Sequence, residues 1–113
     1  MPLKRVILEL GTGNDLHGGD YTKAAVRALQ DALHHSSMSF VRSLKLDREA
    51  MQVEVTIGVQ HPEKVNAEEV KAGVPHGRVK VNVVKGGLDV PAADGHDLAV
   101  IASAAVAVRF DLP

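Results

Sequence analysis

Cysteine is absent from this chain, which excludes disulfides and thiolate metal sites and fits a reducing compartment. Tryptophan is absent too, and one tyrosine and two phenylalanines are the whole aromatic complement. Any core must therefore be built from Val, Leu, Ile and Ala. Neither charge is in excess: the net charge is −1, so there is no general attraction for nucleic acid or for an anionic membrane. Long apolar runs are missing, and the longest, Leu98 to Val108, is too short for a membrane helix. In "MPLKRVILELG" the apolar run is broken by Glu9 and no small-residue cleavage site follows, so no signal peptide is expected. These absences predict one cytoplasmic domain over residues 1–113, with a small aliphatic core.

What is present is a clear alternation of elements. "RVILEL" (5–10) predicts a strand stopped by Gly11, with Val6, Leu8 and Leu10 on one face. Residues 20–35 predict a helix. Asp20 is its N-cap, Ala25, Val26, Leu29, Ala32 and Leu33 its apolar stripe, and Lys23, Arg27, Gln30 and His34 its polar one. "MQVEVTIGVQ" (51–60) alternates strictly, as a half-buried strand does. "VNAEEVKAG" (65–73) is a short helix with a capping box from Asn66 and Glu69, a Val65–Val70 staple and Gly73 as its stop. "RVKVNVV" (78–84) is a further strand, "KGGLDVPAADGHD" a turn-rich loop, and "LAVIASAAVAVRF" a closing strand apolar on both faces. The order β-α-β-α-β-β predicts an α+β two-layer sandwich: a four-stranded, mainly antiparallel sheet with one long and one short helix. Helices cover one face of the closing strand. The other is expected to pack on a second copy, in a homo-oligomer.

The stretch "GTGNDLHGGD" (11–20) carries the chemistry. It follows a strand and precedes a helix, where phosphate loops sit. The Walker pattern fails, because Gly19 and Asp20 stand where Lys and Ser or Thr are needed. The dinucleotide pattern GxGxxG fails at Leu16. Three readings remain. Gly11, Gly13, Gly18 and Gly19 can let a ligand approach the backbone, with an anion at the helix start and Lys23 in support. Asp15 and His17, two apart in extended backbone, can grip a Zn-like divalent metal, with a third ligand from His34, His35, His61, His76, His96 or another chain. Or the glycines make a tight connection, Asp15 bonds loop amides and His17 sits at the surface or touches a partner.

The same residues carry a resemblance. Gly11-Thr-Gly13-Asn-Asp15-Leu-His17-Gly18 matches the signature GxGxDxHG, and "DYTKAAVRALQDAL", "VEVTIGVQHPEKV", "VVKGGLDVP" and "IASAAVAVRFD" are similar as well. The chain resembles the family of small conserved hypothetical proteins first grouped around a Listeria member. That resemblance implies no activity. Over a handful of residues, "GNDLH" is similar to the metal-binding Asp-x-His of the trimeric methylerythritol cyclodiphosphate synthases. "GGLDVP", followed by the strand with Ser103, is similar over a few residues to the ring-opening amidohydrolases. By analogy of this kind a trimer or larger ring is expected over a plain dimer.

Other polar residues weigh less. Ser103, inside an apolar strand, is expected to be buried and bonded to backbone. Asp94, His96 and Asp97 in "DGHD" can form a ligand set, although a hydrophilic turn looks the same. Two functions follow. One is a small oligomeric enzyme whose Asp15, His17 and Lys23 act as acid, base and anion anchor on a small polar or anionic substrate at a subunit cleft. The other is a non-catalytic ligand-binding or assembly module in which the glycine-rich loop is structural.

Overall fold

The computed structural model describes residues 3–34 and 50–111. Strand β1 (Leu3–Asp15) leads to helix α1 (Tyr21–His34) and strand β2 (Gln52–Val59). A 3-10 turn at Pro62–Lys64 precedes the short helix α2 (Ala67–Lys71). Strands β3 (Arg78–Lys85), β4 (Leu88–Pro91) and β5 (Leu98–Asp111) follow. The fold is α+β. One mixed sheet has the order β1-β5-β2-β3, and β4 takes over from β2 along the same edge of β5. No helix of the described residues is long and apolar enough to cross a membrane.

The sheet differs from the expected four-stranded, mainly antiparallel one in two ways. β2 and β3 are parallel, Val55 opposite Val81, because α2 forms a crossover between them instead of a hairpin. The fifth strand, β4, lies inside the segment expected to be loop: Leu88 pairs with Ile101 and Val90 with Ala99. Its flanking glycines and proline conceal so short a strand. The helix expected over 20–35 spans Tyr21–His34, and His35 lies outside the described residues.

Asp20 caps α1 as expected, its Oδ1 accepting the Lys23 N–H at 3.0 Å. Asn66 caps α2, accepting the amides of Glu68 and Glu69 at 3.1 and 3.2 Å. The expected return bond from Glu69 does not form. The Asn66 N–H donates instead to Thr22 Oγ1 at 2.9 Å, tying the start of α2 to α1.

The core lies where Ala24, Ala25, Ala28, Leu29 and Ala32 of α1 meet Val55, Ile57 and Val59 of β2 and Val100, Ala102 and Val106 of β5. β1 extends past Gly11 as far as Asp15, with Gly11 opposite Ala104 and Gly13 opposite Ala102. A register shift between Arg5 and Ile7 turns Ile7 toward the core and leaves Leu8 and Leu10 on the uncovered face. The glycines, not the leucines, therefore meet the helix. A Cβ at Gly11 would sit 2.6 Å from Ala28 O, and one at Gly13 2.5 Å from Ala24 O. Only glycine on the strand and alanine on the helix allow this spacing. Ser103 is exposed rather than buried, because its side of β5 has no covering element within the described chain.

Candidate functional site

β1 ends on Asp15, which alternation places on the helix side after Gly11 and Gly13. Its carboxylate is buried, 4% exposed. Oδ2 accepts the Asp20 N–H at 2.9 Å, and Lys23 Nζ and Arg27 NH1 stand 3.7 and 3.9 Å from Oδ1. Arg27 also donates to Asn14 O at 2.7 Å. Asp15 thus locks the end of the strand to the first turns of α1.

The chain then reverses. Gly18 and Gly19 have φ of +92° and +62°, a region side-chain-bearing residues avoid. This conformation lets the Gly18 N–H donate to Asp97 Oδ1 at 2.8 Å and the Gly19 N–H to Leu98 O at 3.2 Å. Asp97 closes the tight β4–β5 turn, in which Asp94 accepts the His96 N–H and Gly95 has φ of +75°. Its Oδ1 also accepts the Leu98 N–H at 2.8 Å, and its Oδ2 lies 2.8 Å from His17 Nδ1. The Gly18 amide foremost, then His17 and the Leu98 amide, hold the Asp97 carboxyl down at about 2. An ionised carboxylate only accepts, so the His17 Nδ1 carries the proton, and in the neutral ring Nε2 is the acceptor. The His17 side chain is 86% exposed, so that nitrogen faces water.

Asp97 lines a cavity of about 480 Å³ with Gly18, Gly19, Tyr21, Lys64 and His96. Tyr21 is buried beneath it and donates from its hydroxyl to Asp89 Oδ2 at 2.5 Å. Burial first, then Asp89 and Glu63, raise the phenol to about 12, so it stays protonated and serves as a donor. His61 meets the Tyr21 ring edge-on at 5.5 Å, and its Nε2 is 3.8 Å from Asp89 Oδ2. The Lys64 ammonium lies over the same ring, 5.7 Å from its centroid. Asp89 Oδ1 is buried and has no hydrogen-bond partner among the described residues.

Of the residues singled out in the sequence, Asp15 and Lys23 therefore meet and His17 stands apart. Asp15 and His17 do not share a pocket: one is sealed under α1 and the other points to Asp97. Lys23 lines a surface depression with Val26, Gln30 and Glu69, while Lys64 lines the cavity beside Asp97. Gly11 and Gly13 are occupied by helix contact, while Gly18 and Gly19 line the cavity. The first amides of the helix are partly taken, Asp20 by Asp15 and Lys23 by Asp20, which weakens the case for an anion there. Among the described residues no three His, Asp or Glu side chains converge to hold a metal. Asp97 was visible only as part of "DGHD". Tyr21, Lys64 and Asp89 carried no signal, because no local spacing announces a contact between residues so far apart in the chain.

A conserved hypothetical protein family, Lin0512_fam, matches residues 5–108. The chain belongs to this family. Its description assigns no activity. The crystal structure of an FtsZ-like protein of unknown function from Nostoc punctiforme PCC 73102 is similar, with 37% identity, a TM-score of 0.86 and 99% of each chain covered. No curated protein matches. The family is thus shown over nearly the whole chain, and its chemistry has to be read from the site.

Proposed function

We propose that the protein is an acid–base enzyme acting on a small polar or anionic substrate in the cavity between the β1–α1 junction and the β4–β5 turn. The observation that carries this reading is the His17–Asp97 pair. Asp97, fixed by two backbone amides, orients His17 with Nε2 toward water, the arrangement a general base requires. Lys64 and His96 line the cavity, Lys64 as the cation for an anionic group, and His17 stands beside the lining, joined to it by Asp97 and Gly18. Gly11, Gly13 and Asp15 serve this site indirectly by fixing where β1 ends.

The test is proton exchange. Small carboxylates bearing an acidic C–H are incubated with the protein in deuterated water, and exchange is followed by NMR. Catalysed exchange that His17→Ala abolishes, Asp97→Asn slows and Lys64→Gln weakens through KM supports the reading. If nothing on the panel binds or exchanges, and the three variants match the wild type, the reading fails. A second reading, a non-catalytic module whose loop is structural, draws on the burial of Gly11, Gly13 and Asp15. It predicts that His17→Ala lowers the melting temperature and leaves ligand binding alone.

A further inference from the structure

One face of the sheet is uncovered within the described residues, and its chemistry is uneven. Register places Leu8 opposite Ala107, Leu10 opposite Ala105, and Leu88 opposite Ile101, all facing away from α1. Leu8, Leu10, Val84, Leu88 and Val90 are 45–65% exposed. Between the ridges formed by Leu10 and Val84 runs a trough of small residues, Gly58, Ser103 and Ala105, with a volume of about 590 Å³. The other end of the face is charged. Arg5 stands opposite Arg109 and Lys80 opposite Glu54, and Glu54 is held by Arg109 and Asn82.

We propose that this face pairs with the same face of a second copy of the chain, Leu10 of each copy seated in the small-residue trough of the other. Shape is the first reason. A ridge beside a trough of matching character is self-complementary, and a two-fold axis lets each surface fill the other. Area is the second. Four strands abreast at about 4.8 Å spacing, and the 8 residues of β2 and of β3 at about 3.3 Å rise, give a face on the order of 500 Å² in projection. Two copies then bury on the order of 1,000 Å², the size at which a specific interface becomes stable. Charge is the third. A two-fold axis through the trough lays the apolar ends on each other and leaves Arg5, Arg78, Lys80 and Arg109 of the two copies at opposite ends of the pair, where they do not stack. A face-to-face pair of this kind is isologous, unlike the head-to-tail contacts of a simple ring.

Sedimentation velocity tests the proposal with three variants. Leu10→Asp places a charge in the trough, and Ala105→Arg fills it. Leu16→Asp, at a leucine that is 61% exposed in the β1–α1 loop outside the strands, is the control. The wild type is expected to sediment as a dimer or an assembly of dimers at micromolar concentration. Leu10→Asp and Ala105→Arg are expected to weaken association at least about tenfold while circular dichroism stays that of the wild type. Leu16→Asp is expected to change nothing. A monomeric wild type at that concentration, or an assembly that survives both trough variants, overturns the proposal.

Discussion

Gly13→Ala is the sharpest perturbation of the junction on which the site stands. The added Cβ would lie 2.5 Å from Ala24 O and 2.6 Å from the Arg27 carbonyl carbon, where ordinary contact begins near 3.4 Å. The Ala28 backbone nitrogen is nearer still, so to restore contact α1 must retreat by at least about 0.9 Å, the difference between 3.4 and 2.5. The atoms in the way are helix backbone, so no side chain can swing aside. A gap of 0.5–1 Å costs roughly a quarter to a half of the dispersion well of each contact it opens. Ala24, Ala25, Ala28 and Ala32 are all fully buried on that helix. Overpacking costs about 1–3 kcal/mol in general, and the rigidity here favours the upper end, about 3 kcal/mol. At roughly 5 °C per kcal/mol for a domain of this size, the melting temperature should fall by about 15 °C. Thr12→Ala, beside it on the open face, should change stability by no more than about 0.5 kcal/mol. Thermal melting by circular dichroism compares the three proteins. A Gly13→Ala protein that melts within a few degrees of wild type would refute the packing role of this glycine. Loss of ligand binding in the same stable variant would instead return it to the ligand.

Other perturbations read other parts of the site. Tyr21 is the only tyrosine and there is no tryptophan, so tyrosinate absorbance titrates one group. Its midpoint should lie near 12 rather than 10, and Asp89→Asn should lower it. The raised value contributes stability that is fully present below 10 and lost as pH rises through 12, so a midpoint near 10 would remove the Asp89 contact. Asp15→Ala should cost about 2 kcal/mol, because it strands the Asp20 N–H and leaves two cations without their carboxylate; chemical denaturation that shows no loss would contradict its role as a lock. For Asp97 the sign is opposite to that of Tyr21. Its depressed carboxyl stabilises the loop in full above 3.8, and that stabilisation disappears as pH falls through about 2. The stability difference between wild type and Asp97→Asn should therefore hold constant above 3.8 and shrink below it, as denaturation across pH will show.

Much of the fold was legible because local chemistry and global structure agree. Asp20 and Asn66 cap helices where their position before an apolar stripe said they would. Met51 to Val59 alternates, and its odd-numbered residues are buried. The parallel β2–β3 pairing was less visible, since a short α2 between two alternating strands reads equally as a hairpin insertion. The face of β1 was misleading for a physical reason. Leucines promise burial, but a bulge before Ile7 and the closeness of α1 give the buried face to glycines. The site was half legible. The motif marked its location, and alternation suggested that Asp15 and His17 point together, yet the strand ends between them and the two glycines turn His17 toward β5. Its partner, Asp97, belongs to a hairpin turn whose polarity any surface loop would share.

The most direct measurement is the tautomer of His17, read from the nitrogen shifts of its ring by NMR on wild type and Asp97→Asn at a pH where the ring is neutral. An Asp97 that orients the base requires the proton on Nδ1 in the wild type, with Nε2 unprotonated, and a redistribution toward Nε2–H in the variant. A wild-type ring already protonated on Nε2, or one that Asp97→Asn leaves unchanged, would contradict the general-base site.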